Sequence, residues 1–209
     1  MAGLQLRYET GLTGEEYVKA EAWRDARLER CPNHPHGGCS VASHGTYGRK
    51  TPPGAKVPRW YCRESHTTIS LLADCLAARL PGTLADLEAV VVAAEGARSL
   101  EAAANALRPD AIELPGAMRW VRRRIRLVHD ILARVIGLIP DRLAGCATTM
   151  VAVRERLGSG ALMTLRALVA EQLRMLPAPL GFQPHGIGVP GRTPAFQQSM
   201  GPDPPPVGA

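Results

Sequence analysis

Seven side chains able to ligate a metal lie between positions 31 and 66: Cys31, His34, His36, Cys39, His44, Cys62 and His66. Cys31-Pro-Asn-His34 is a C-x2-H pair, and Cys62-Arg-Glu-Ser-His66 is a C-x3-H pair. Such spacing lets two side chains from one tight turn reach the same ion, and zinc accepts thiolate and imidazole alike. The pairs are 27 residues apart. A hairpin in that interval would bring its two ends, and so both pairs, to one tetrahedral site. Two ligand sets satisfy this geometry: Cys31, His34, Cys62 and His66, or Cys31, Cys39, Cys62 and His66. In the second, Gly37-Gly38 folds the loop back and offers the Cys39 thiolate. His36 and His44 fall outside both sets. Catalytic zinc needs an open position and a nearby base, and Glu64 is the one carboxylate at hand, so the expected ion is structural Zn2+.

The elements that position these residues follow from local pattern. Short strands are expected over 45–50, 57–62 and 67–71, with Thr51-Pro-Pro-Gly54 supplying the first reversal. Residues 31–72 hold few large apolar side chains, and about 40 residues do not bury enough surface to fold alone. A metal would supply the missing free energy. Upstream, Thr13-Gly14-Glu15-Glu16 reads as a capping box opening a helix over 15–29. Residues 1–13 carry little signal.

Beyond position 73 the pattern predicts helices over 73–79, 84–95, 100–107, 116–139, 142–157 and 161–176. Thr83, Ser99, Asp141 and Ser159 stand at N-cap positions, and Gly158 at a C-terminal cap. Cys75 and Cys146, on helices without nearby histidine, read as inert thiols. Within 116–139, Val121, Ile125, Val128, Leu132, Val135 and Ile139 form an apolar seam at helical spacing. Arg119, Arg122, Arg123 and Arg126 follow the same spacing on another face. A guanidinium strip fits phosphate, as does the positive end of the helix dipole. It fits equally a solvated charged face paired with Glu101 or Asp110. A short helix, a turn and a basic helix together make a helix-turn-helix arrangement.

Composition bounds the rest. Arginine supplies 22 of the 25 basic residues and the net charge is +6, which suits a polyanionic partner or an arginine-biased coding sequence. Aromatic residues are only 4%, too few for a large β-sandwich. No run approaches the ~18 apolar residues that span a bilayer, and the polar N-terminus is unlike a secretory signal, so a cytoplasmic protein is expected. The Pro- and Gly-rich stretch 177–209 is expected to be disordered.

Cys31-Pro-Asn-His34, His44-Gly45-Thr46-Tyr47, Arg49, Arg59-Trp60-Tyr61-Cys62, Thr68-Ile69-Ser70-Leu71-Leu72 and Asp74 together resemble the start of certain bacterial insertion-sequence (transposase-related) proteins. There a zinc ribbon of the form C-P-x-C…H-G-x-x-x-R…R-x-x-C-x-x-C…T-F-S-L-L-P precedes a helix-turn-helix. The resemblance covers 30–80, and 81–140 more loosely. Here His34 and His66 stand where that family has cysteine, and the second pair is one residue longer, so the ligand set stays open. The resemblance implies double-stranded DNA binding, with Arg49, Lys50 and Arg59 joining Arg119, Arg122, Arg123 and Arg126 as phosphate contacts. The three carboxylates of a strand-transfer site have no counterpart. Past Glu113 the only acidic residues are Asp130, Asp141, Glu155, Glu171 and Asp203, with no strands to present them.

The sequence thus predicts a mainly α chain with a small β zinc ribbon. Its parts are an N-terminal helical leader (1–29), the ribbon (30–73), a helix-turn-helix-like trihelical unit (74–140), a helical pair for core or homodimer formation (141–176) and the tail (177–209). The expected function is non-enzymatic DNA binding, without a membrane or a small-molecule substrate. The alternative is a zinc-stabilised protein-interaction module.

Overall fold

The computed structural model describes residues 4–107 and 114–183. Strands β1 (Leu4–Tyr8), β2 (Val41–Gly48), β3 (Lys56–Cys62) and β4 (Thr67–Ala73) form one sheet in the order β1-β4-β3-β2. The hairpin expected from the sequence is present and longer, with β2–β3 and β3–β4 antiparallel. It is not a free-standing ribbon. β1, in the stretch that gave little signal, runs parallel to β4 in the register Leu4↔Ile69 to Tyr8↔Ala73. Its short Leu-x-Leu-x-Tyr alternation puts Leu4, Leu6 and Tyr8 against the small apolar cluster of Ala26, Cys31, Cys62, Ile69 and Leu71.

The helix expected over 15–29 is α1 (Gly14–Lys19) alone, opened by the reciprocal Thr13–Glu16 capping bonds of 2.8 and 3.2 Å. Glu21 then takes a left-handed conformation (φ 48°), and a 3-10 turn follows at Ala22–Arg24. The break turns Trp23 inward, edge-on to buried Tyr17 at 5.6 Å. Two large aromatics six residues apart could not both face the core from a straight helix. Gly14, at the start of α1, packs against Thr83, whose Cγ2 leaves no room for a Cβ there.

The helices α2 (Leu84–Glu95), α3 (Leu100–Leu107), α4 (Leu114–Leu138), α5 (Pro140–Leu143), α6 (Met150–Leu157) and α7 (Ala161–Leu168) form the rest of the body. α2 is opened by the Thr83–Asp86 capping box, and at the start of α3 the Ser99 hydroxyl accepts from the Ala102 N–H at 3.1 Å. The seam of α4 is buried at Val121, Val128, Leu132 and Val135, with Ile131 added and Ile125 half-buried. Leu84, Leu87 and Val91 of α2, together with Leu162 and Leu165 of α7, complete the main core. It also takes in Val57, Leu72 and Ala73 of the sheet.

Beyond position 72 three further helix expectations fail, the first two to tertiary bonding. Residues 73–79 turn back on themselves instead of coiling. Their carbonyls are met from outside: Arg166 donates to Ala73, Asp74 and Leu76 at 3.5, 3.0 and 2.6 Å, and Arg49 donates to Ala77. The 142–157 helix is split, because Thr149 caps α6 and the Glu95 carboxylate accepts from the Met150 and Val151 N–H groups at 2.8 and 2.9 Å. Glu88, one helical repeat earlier on α2, does the same for α7 through Gly160 and Leu162, both at 3.0 Å. Two carboxylates on one helix thus fix two helix N-termini, where the dipole favours negative charge. The 161–176 helix ends at Leu168, with a 3-10 turn at Ala170–Gln172. Asp141 and Ser159 are not the N-caps: Ile139 and Gly160 occupy those positions.

The chain also stays folded past 177. Leu180 and Phe182 are buried, and the wholly buried Arg166 donates to Pro179 and Leu180 carbonyls at 2.6 and 3.0 Å. Residues 184–209, the remainder of the expected tail, lie outside the described residues.

Candidate metal centre

Cys31, His34, Cys39 and Cys62 converge, each ligand atom within 4.8 Å of the others. Three local features bring them together. In the first turn the His34 N–H donates to the Cys31 carbonyl at 3.0 Å and the Gly37 N–H to the His34 carbonyl at 3.1 Å. Gly37 and Gly38 then adopt left-handed conformations (φ 89° and 84°), which a side chain would oppose, and they fold Cys39 back. Cys62 closes the site as the last residue of β3, paired in register with Val41 and Thr67.

The spacing fits zinc. Zn–S near 2.3 Å and Zn–N near 2.0–2.1 Å at a tetrahedral angle put sulfur and nitrogen about 3.6 Å apart. His34 Nδ1 lies 3.5 Å from both Cys31 Sγ and Cys62 Sγ. Cys31 and Cys62 are buried, His34 and Cys39 half-buried. Hydrogen bonding from Ser65 draws the Cys62 thiol down to about 7, whereas desolvation and the bonds to Cys31 and Cys62 push Cys39 up to about 12. An ion bound among them would draw the thiols to thiolate. The four residues form a Cys3His group that could hold a metal ion.

This is neither of the two sets weighed from the sequence. His34 and Cys39, read as competitors, both join, and His66 does not. Tyr61 and Cys62 point to opposite faces of β3, and His66 follows Tyr61: its Nδ1 sits 3.0 Å from the Tyr61 hydroxyl. His44 lies against the same Tyr61 ring, 5.6 Å between centroids. His36, left out of both sets, is exposed. The Glu64 carboxylate accepts from the Ser40 N–H and hydroxyl at 3.0 and 3.2 Å, tying the loop before β2 to the turn after β3. These bonds, with its own backbone bond the largest cause, hold Glu64 below the usual carboxylate range.

The basic residues divide. Arg119, Arg122, Arg123 and Arg126 are exposed on α4, and among the described residues none has a carboxylate within 4.0 Å. Glu101 is exposed and unpaired with them among those residues, and Asp110 lies outside the described residues. Arg124 instead lies over the Trp120 ring at 3.8 Å, so Trp120 packs. Lys50 is exposed. Arg49 is turned inward, donating to the Ala77 and Leu80 carbonyls, and is no free phosphate ligand. Arg59 is half-buried, its Nε without a partner among the described residues. The residue that sequence reading missed is Arg166, the buried anchor of the 73–80 and 179–180 segments. A lone arginine in an apolar helix face, Leu162-Met-Thr-Leu-Arg166, was its only signal. Cys75 is buried and pushed up to about 12 by desolvation, as an inert thiol should be, but it lies in a turn, as does Cys146.

No family model, curated protein or solved structure matches the chain. The likeness to insertion-sequence proteins therefore rests on the short motifs themselves. The class that fold and site define is a mixed α/β chain, a four-stranded sheet with a Cys3His group at one end and a seven-helix complement among the described residues. No helix among those residues is long and apolar enough to cross a membrane.

Proposed function

We propose that this chain is a zinc-stabilised, non-enzymatic DNA-binding protein related to transposase N-terminal regions. Cys31, His34, Cys39 and Cys62 hold a structural Zn2+, and α3 with α4 acts as a helix-turn-helix-like unit whose basic helix lies along duplex phosphates. The observation that carries the DNA reading is the strip Arg119, Arg122, Arg123 and Arg126, four exposed guanidinium groups on one face of α4 without a carboxylate in reach among the described residues. Such a strip repels itself unless an anion lies alongside. Closed coordination by three thiolates and an imidazole is the donor set of a structural site and leaves no open position for catalysis.

A gel shift with mixed-sequence duplex tests the reading. Binding should weaken steeply with salt, and changing Arg119, Arg122, Arg123 and Arg126 to Glu should abolish it. Unchanged mobility of the duplex at low salt sinks the DNA reading. The second reading, a protein-interaction module, draws on Leu138, Val151 and Leu168 of the helical body, which are 46%, 39% and 38% exposed. On that reading the same Glu changes abolish partner capture, and nucleic acid is never bound.

A further inference from the structure

The sheet also carries a cleft of about 490 Å3, lined by none of the four candidate metal ligands and by no residue of α4, that neither role uses. Lys56, Pro58 and Trp60 alternate onto one face of β3 and form its floor, and Trp23, Arg24 and Arg27 of the 22–27 turn form the opposite wall. The edge strand β2 opens it: the β2–β3 register shifts between Ser43 and Thr46, and Gly45 at φ 72° carries the bulge. The Ser43 and Thr46 hydroxyls line the mouth.

The lining is cationic and aromatic at once. Arg24, Arg27 and Lys56 are exposed, and no carboxylate of the described residues lines the cleft. Glu21, just outside, takes the Arg24 Nε at 2.6 Å, and the Arg27 Nη1 donates to the Arg24 and Ala26 carbonyls at 2.7 and 3.0 Å. These bonds orient both guanidinium groups. Lys56 Nζ stands 5.7 Å from the Trp23 ring centroid. The indole Nε1–H of Trp60 is shielded from water without a hydrogen-bond partner among the described residues. A buried donor left unpaired is costly.

We infer that this cleft binds a nucleotide, its base against Trp60 and its phosphate among Lys56, Arg24 and Arg27. Base stacking on an aromatic ring needs no sequence preference, and guanidinium and ammonium groups select the phosphate. The volume lies in the range of small-ligand sites. The nucleotide is either free or an unpaired residue of a strand, since both carry the same base and phosphate. The inference stands apart from the duplex reading, because it uses no residue of α4.

Tryptophan fluorescence of the full chain in a Trp120→Phe background tests it, since Trp23 and Trp60 then report alone. The probes are adenosine 5′-monophosphate, adenosine, inorganic phosphate and a five-residue single-stranded oligoadenylate. Quenching by the mononucleotide, about tenfold tighter than by adenosine or phosphate and weakened about tenfold in Lys56→Ala/Arg27→Ala, is the expected result for a free nucleotide. Quenching by the oligonucleotide alone, with the same sensitivity to Lys56→Ala/Arg27→Ala, assigns the site to a strand. The inference is overturned if neither the mononucleotide nor the oligonucleotide quenches, if phosphate alone binds as well as the mononucleotide, or if the Lys56→Ala/Arg27→Ala change leaves affinity unaltered. The duplex gel shift is read separately, so loss of one activity does not imply loss of the other.

Discussion

The two ends of the sheet are held by different physics. At one end Val57, Leu72 and Ala73 merge into the core shared with α2, α4, α6 and α7. At the other, Ala26, Cys31, Cys62, Ile69 and Leu71 are the whole buried cluster, two of its five members being thiols of the Cys3His group. The first end needs no ion, because apolar burial supplies its stability. The second has too little grease, and its loops between 25 and 40 are tied mainly by turn hydrogen bonds and by the Glu64–Ser40 contacts. On the proposed reading, burial holds one end of the sheet and coordination by the Cys3His group holds the other.

The largest effect should come from the end that carries the Cys3His group. Structural zinc typically contributes about 10 kcal/mol of binding free energy, far more than the small cluster around it. Chelation, or Cys62→Ser, should release the amides of β2 and of residues 31–40 to hydrogen exchange, while the helical circular dichroism signal persists. If helices and hairpin are lost together, the two ends are one cooperative unit and the contrast is wrong. If neither changes, the four residues hold no structural ion.

The next effect belongs to the buried end. Arg166 is wholly buried, donates to five carbonyls and has no carboxylate within 4.0 Å among the described residues. Burial lowers its guanidinium to about 9, which still leaves it charged at neutral pH. Arg166→Met would strand those carbonyls and should cost about 3 kcal/mol or more. In a thermal melt that is a fall of roughly 10 °C. Arg166→Lys should recover only part, since one ammonium cannot reproduce the planar fork across two chain segments. A melt unchanged in Arg166→Met would mean that the 73–80 turn is held by apolar contacts alone.

The same contrast explains what the sequence revealed. Elements governed by their own pattern were legible: α2 and α3 matched at both ends, four of the six seam residues are buried on α4, and the hairpin lay between His34 and Cys62. Elements governed by a distant side chain were not. Residues 73–79 look helical because their alanines and leucines favour it, and nothing local announces that Arg166, some ninety positions later, satisfies their carbonyls. β1 escaped notice because five residues of alternation are a weak signal until β4 stands beside them. At the site, residue types were legible but face parity was not. Spacing says that Cys62 and His66 can share a turn, yet it does not say which side of the sheet each leaves from.

His66 gives the smallest and most discriminating test of that parity. It lies exposed, at φ 48°, with its ring on Tyr61 rather than toward the thiols. His66→Ala removes one exposed hydrogen bond, so stability should change by no more than about 0.5 kcal/mol and metal content should stay at one ion per chain. His34→Ala removes a candidate ligand whose Nδ1 sits 3.5 Å from two sulfurs, and metal content should fall or become easily stripped by chelator. Metal analysis of the two variants side by side decides the matter. Loss of metal in His66→Ala with retention in His34→Ala would mean that the turn after β3 rotates toward Cys62 when the ion binds. Three cysteines with His66, the second set the sequence allows, would then be the ligands, and the pairing of His66 with Tyr61 would belong only to the metal-free chain.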